Sequence, residues 1–298
     1  MTERQLNGVH HVTAITGNGR RCRGFWAGVL GLRPVKRTVN FDAPTSRHLY
    51  FADRVGTPGT TVTFFEWPGL PAGRPGAGQA TLLALAAPEG SLGWWRARLE
   101  EADADPEPAE TPWGEGLAVD DPDGLPVALV EAPAPRPEVE PWAGGEVPAD
   151  RALRGVAGVR LAVEEAAGSA ELIRDVLGLD DAPRGPVAIA SDREPPGGRR
   201  GRGTIHHVAW RTPDEATQQA WRDRLVELGL SVTPVVDRHY FRSIYFREPG
   251  GVLFEIATEG PGFDVDQPVD ELGEGLTLPP WLEDRREEIE AALPDTGA

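Results

Sequence analysis

"GVHHVTAIT" at 8–16 and "TIHHVAWRT" at 204–212 place the same His-His-Val triplet in two apolar, alternating runs almost two hundred residues apart. Alternation of this kind reads as a strand, and adjacent strand residues point to opposite faces. One histidine of each pair therefore faces a given interior. Neutral imidazole is the commonest metal-ligating side chain, so two such strands can deliver one ligand each to a shared ion.

Downstream of the first triplet, "RCRGFWAGVLGLRPV" carries Phe25, Trp26, Val29 and Leu30 as one helical stripe ending at Gly31. A glycine just past the last periodic residue is a natural helix stop. The stretch "GVAGVRLAV" followed by "AAGSAELIRDVLGL" repeats this order, with 20 residues from His11 to Gly31 and 20 from Gly158 to Gly178. A further copy runs from His207 to Gly229, and a weaker one from "QATLLALAA" into "SLGWWRARLEEA". Short alternating or β-branched runs follow the helices, at 34–41, 47–52 and 60–66 in the first copy and at 231–236, 241–247 and 251–257 in the last. Each copy reads as β-α-β-β-β, too small to bury its own sheet face, so copies must pair. The expected class is α+β, four such modules forming two paired, barrel-like sheets. Boundaries fall at 6–67, 78–132, a linker at 133–151, a truncated module at 152–191, a fourth at 203–258, and a C-terminal extension with a helix at 272–293.

The repeat allows a comparison within one chain. Where the first and last modules have His10-His11-Val12 and His206-His207-Val208, the third has Ala157-Gly158-Val159. The strand pattern survives there without the histidines, which argues for a local task rather than packing. Aligning "TTVTFFEW" with "GGVLFEIA" puts Glu255 under Phe65. Glu255 stands in an apolar strand, where a buried carboxylate needs a cationic partner. The four slots are thus His11, Phe65, His207 and Glu255. Two histidines and one carboxylate with an open position are the set associated with non-haem Fe(II).

Composition narrows the classes. A net charge of −17 repels phosphate backbones, so nucleic acid is not an expected partner. "GGRRGRG" at 197–203 then reads as a flexible loop. No apolar run approaches a membrane span, and "MTERQLNGVHHV" lacks the pattern of a secretory signal. A single cysteine, Cys22, excludes a disulfide framework and a cysteine-rich zinc site. A reducing, cytoplasmic setting is expected.

The blocks "GVHHVTAIT", "GVLGLRPVKRTVNFD", "LYFADRVGTPGTTVTFFEWP", "HHVAWR" and "DRHYFRSIYFREPGGVLFEIATEGPGF" resemble the vicinal oxygen chelate superfamily of glyoxalases, bleomycin-resistance proteins and extradiol dioxygenases. Within it the chain most resembles hydroquinone-type ring-cleaving dioxygenases. The resemblance implies iron on His11, His207 and Glu255, with His10, His206, Arg238 and Tyr245 around the substrate and His206 exchanging a proton. It implies Fe(II), with Mn(II) as the alternative, a small aromatic diol and O2 as substrates, and leaves homo-oligomerisation open. Strict alternation would turn His10 and His206 away from the metal unless a bulge intervenes. His48 and His239 read as structural or cavity-lining residues. Two other functions stay open. A glyoxalase-like isomerase or lyase would use a fourth ligand, Glu66 after a one-residue register shift, and a drug-sequestering protein would not need the ligand set.

Overall fold

The computed structural model describes residues 6–182, 185–191 and 197–294; the first five, part of the signal reading, and 192–196, beside the arginine-rich loop, lie outside them. The first unit is β1 (Val9–Thr16), α1 (Gly19–Arg23) running on into a π-helical turn at Gly24–Val29, then β2 (Arg33–Asn40), β3 (Ala43–Ala52) and β4 (Thr61–Glu66). The second is β5 (Gln79–Ala87), α2 (Leu92–Glu101), β6 (Glu107–Thr111), β7 (Gly114–Asp120) and β8 (Pro126–Glu131). The third has β9 (Val156–Ala162), α3 (Ala166–Ala170) with a π turn at Glu171–Val176, and β10 (Val187–Ala190). The fourth has β11 (Ile205–Thr212), α4 (Glu215–Glu227), β12 (Val236–Asp237), β13 (Arg242–Arg247) and β14 (Leu253–Thr258).

Two curled sheets result. An eight-stranded one is ordered β12-β13-β14-β11-β1-β4-β3-β2, and a six-stranded one β10-β9-β5-β8-β7-β6. The outer units thus share one sheet and the inner units the other, joined through β1 against β11 and β5 against β9. Between them runs one core, to which the π-helical turn after α1 contributes Phe25 and Trp26 and α2 contributes Trp95 and Leu99. Gly31, Gly178 and Gly229 take φ of 73°, 68° and 84°, so each closes its helix in the left-handed conformation only glycine adopts freely.

Where a strand is expected at 231–236, only Val236–Asp237 pairs. Pro234 lacks the N–H a ladder needs, and the segment is held instead by Thr233 and Tyr245 exchanging hydrogen bonds. The 197–203 loop is pinned rather than loose: Arg74 and Arg199 pair through their backbones, and Arg202 bonds both the Leu70 carbonyl and Asp123. After β14 the chain turns back over β2. Leu278, then Leu282 of a 3-10 segment at Pro280–Arg285 and Ile289 of α5 (Arg286–Ala292), pack with Val39.

Candidate metal centre

β1 and β11 cross the middle of the larger sheet, and each carries one extra residue against the other. Val9 pairs Trp210 while His11 pairs Ala209, and Thr13 pairs His207 while Ala14 pairs Ile205. The surplus residues are His10 and His206. A bulge re-aims side chains, and here it brings both imidazoles of each pair to the same side. The ring centroids of His10–His11 and His206–His207 are both 5.1 Å apart. Their Nδ1 atoms face each other at 2.9 Å and 2.8 Å.

His11 Nε2 and His207 Nε2 then meet at 3.3 Å, with Glu255 Oε2 at 3.5 Å and 2.9 Å from them. All three residues are buried, and they form the one group of potential metal ligands among the described residues. Donors each ~2.1 Å from one ion and at right angles to it lie ~3 Å apart, close to these separations. Glu255 Oε2 is buried without a hydrogen bond of its own, while Oε1 accepts from Ser243. Burial works against the Glu255 charge, yet the imidazoles, His11 foremost, hold its carboxyl well below the usual range. An ionised, half-unsatisfied carboxylate facing two imidazole nitrogens fits a cation.

The tautomers agree. His10 Nε2 lies 3.1 Å from the Thr258 carbonyl and must donate its proton there. His10 Nδ1 is then an acceptor, so His11 donates from Nδ1 and keeps a lone pair on Nε2. Burial, and then the neighbouring His11, push the His10 pKa down to about 3, which keeps it neutral. On the other strand, His207 binding a metal through Nε2 would donate from Nδ1 to His206. Arg200 Nη1, which can only donate, stands 3.5 Å from His206 Nε2.

The fourth slot is not Phe65. Glu255 lies beside Ala209 on β11, and the equivalent partner of Thr13 on β4 is Thr63. Phe65 is two residues further along the same face, where it forms a wall 5.2 Å from the His206 ring. The Thr63 hydroxyl is 2.7 Å from that of Thr13 and 2.8 Å from His48 Nε2, and His48 Nδ1 is 2.8 Å from the Tyr50 hydroxyl. Glu66 faces the other way, accepting from the Gly19 amide at 2.6 Å and from Arg47 at 3.1 Å. No register shift turns it inward.

A cavity of about 440 Å³ opens over the three ligands, walled among others by Phe41, His48, Phe65, His206, Phe241 and Tyr245. Arg238 and Tyr245 both line it, with Arg238 Nε donating to the Tyr245 hydroxyl at 3.0 Å. His10 does not reach this space. Phe241 lies 4.9 Å from its ring, and His10 borders a separate cavity of about 370 Å³ behind. His239 stands outside as well, 3.2 Å from the Asp266 carboxylate. Phe41 and Asp42, on the β2–β3 turn, carry no sequence signal. His48 and Tyr50 do carry one, since residues two apart on a strand share a face.

The chain matches the Glyoxalase/Bleomycin resistance protein/Dioxygenase superfamily over residues 8–129 and 155–256. It belongs to this superfamily. The Bacillus subtilis protein MhqO, provisionally named a ring-cleaving dioxygenase, is 40% identical to this superfamily member over 96% of this chain and 95% of its own length. The chlorohydroquinone/hydroquinone 1,2-dioxygenase of Sphingobium indicum is 31% identical over 98% and 97%. A crystal structure of a Bacillus subtilis protein described provisionally as a dioxygenase superimposes with a TM-score of 0.92 at 38% identity, covering 98% and 97%. Glyoxalase I from Zea mays shares the fold at TM-score 0.61 and 13% identity, covering 90% and 97%.

Proposed function

We propose that this chain is an Fe(II)-dependent dioxygenase that opens a hydroquinone-type aromatic ring with O2. The observation that carries the reading is a donor set of His11, His207 and Glu255 with Thr63 in the fourth slot, facing a largely aromatic cavity. Three protein donors leave positions for a diol oxygen and for O2 together. The name of the Sphingobium relative supports the same ring class. An isomerase relying on a fourth protein ligand finds no further carboxylate at the centre among the described residues, because Glu66 is committed elsewhere. A protein that merely sequesters drugs has no use for the three ligands.

A bound ferrous ion would supply electron exchange between ring and O2 on one centre. The protein does the rest. His206, at the cavity wall, exchanges a proton with the second ring oxygen. Burial, and then Glu255, push the Tyr245 hydroxyl well up, so it stays protonated and acts as a hydrogen-bond donor. Arg238 fixes that hydroxyl by donating to it from Nε. His10 acts through His11, whose tautomer it sets. Mn(II) suits the same donors, and reconstitution with each metal separates the two. A reducing compartment suits a ferrous site and a chain whose single cysteine is buried.

The test is oxygen uptake by anaerobically Fe(II)-loaded protein offered methylhydroquinone and catechol in turn. Uptake with a new semialdehyde absorbance, absent in His207→Ala, is expected, with methylhydroquinone preferred. No uptake with either ring by protein shown to hold iron overturns the reading.

A further inference from the structure

Among the described residues lining the metal cavity, Arg238 is the one arginine or lysine, and its charge is not free. Asp42 Oδ2 meets Arg238 Nη2 at 2.8 Å, while Arg238 Nε is committed to Tyr245 and the guanidinium lies 5.2 Å from that ring's centre. Asp42 stands on the tight turn between β2 and β3, its amide bonded to the Asn40 side chain at 3.0 Å. The pair therefore bridges the first and fourth units across the cavity mouth. Its carboxylate is 68% exposed and its guanidinium 18%. An ion pair so open to water adds little to folding, so stability does not account for its position. Its effect is on the field inside the cavity. The cation that would otherwise receive a carboxylate is already neutralised, and the adjoining walls, Phe41, Phe65, Val236, Phe241 and Leu253, are apolar.

We propose that Asp42 is a specificity-determining residue that excludes anionic rings, so the site takes diols whose substituents are uncharged. The inference deepens the ring-cleavage reading and rests on it for the ring's identity. An incoming carboxylate meets Asp42 at the mouth and would have to break the Asp42–Arg238 pair to gain a partner. A methyl or halogen substituent can pack on the apolar walls without breaking that pair. Specificity is thus built as a repulsion as well as a fit.

The experiment measures binding of two unreactive phenols by calorimetry, neutral 4-methylphenol and anionic 4-hydroxybenzoate, to wild type, Asp42→Asn and Asp42→Glu, each shown folded by its thermal transition. Wild type and Asp42→Glu are expected to prefer the neutral phenol by at least tenfold, and Asp42→Asn to cut that preference at least tenfold. An unchanged preference in folded Asp42→Asn overturns the proposal. A parallel arm compares kcat/KM for methylhydroquinone and 2,5-dihydroxybenzoate, where Asp42→Asn is expected to shift the ratio toward the carboxylated ring. Should the protein cleave neither ring, the function falls and the binding arm still decides the role of Asp42. Should wild type cleave methylhydroquinone while Asp42→Asn keeps its discrimination in both arms, Asp42 falls and the function stands.

Discussion

An imidazole has two nitrogens, and which one is free to bind a metal depends on what the other is doing. His10 settles this for His11, since its own proton is spent on the Thr258 carbonyl. His10→Ala removes that acceptor, and metal affinity is expected to fall roughly 10–100-fold, read by competition with a chromophoric chelator. Thr63 offers the opposite experiment. It occupies the slot equivalent to Glu255, so Thr63→Glu would give the centre a fourth donor. Metal should be held at least as tightly while oxygen uptake falls by about two orders of magnitude, with the thermal transition reporting that the variant folds. One histidine of each triplet is readable in the sequence as a candidate ligand, because the third unit lacks the pair. Thr63 is not. Side-chain direction repeats every two residues, so sliding an aligned strand by two preserves its inward face and every apolar match. Phe65 and Thr63 are therefore indistinguishable by pattern, and only the ladder beside Thr13 separates them.

At the scale of elements, the bulges in β1 and β11 resolve the conflict between alternation and two neighbouring histidines on one side. A bulge inserts a residue without changing local composition, so the sequence could state the need for one and not its place. Turns carry their own chemistry. Asp121, between β7 and β8, accepts from the Asp123 and Leu125 amides at 2.9 Å and from the Trp26 indole of the first unit's helix at 3.3 Å. Burial dominates, and its pKa is pushed up to about 6. A carboxyl raised in the folded state binds more protons there than unfolded. Its contribution is present below the unfolded value of 3.8 and is lost as pH rises through about 6. Asp121→Asn should therefore gain on wild type by about 1.4 kcal/mol per pH unit across that window, seen as diverging urea midpoints between pH 4 and 6.

For the molecule as a whole, one architecture is used twice, and among the described residues only one copy gathers potential metal ligands. By ladder position, His11, His207 and Glu255 correspond to Gly158, Leu82 and Ala128 in the smaller sheet. Leu82 and Ala128 belong to an apolar cluster against which Trp113 packs, and a side chain at Gly158 would collide with the Trp113 ring. Indole fills the space that the larger sheet leaves open. Trp113→Ala should lower stability by about 3 kcal/mol, the lower end for losing an indole because the ring is half-buried, and leave metal content unchanged. Such a division is legible in outline, since the missing histidines point to it; the plug is not, because Trp113 lies in the β6–β7 turn, where the repeat carries no pattern.

The returning C-terminal segment covers Lys36, the chain's one lysine, whose ammonium lies 2.6 Å from Asp266 and 2.7 Å from the Gln267 side chain. At 1% exposure this amine is closed to acylating reagents while Asp266 and Gln267 sit over it. The chain thus carries a natural clock for its own fraying. The rate at which an activated ester modifies Lys36, followed by peptide mass mapping that separates it from the α-amine, would time how often that segment lifts from β2.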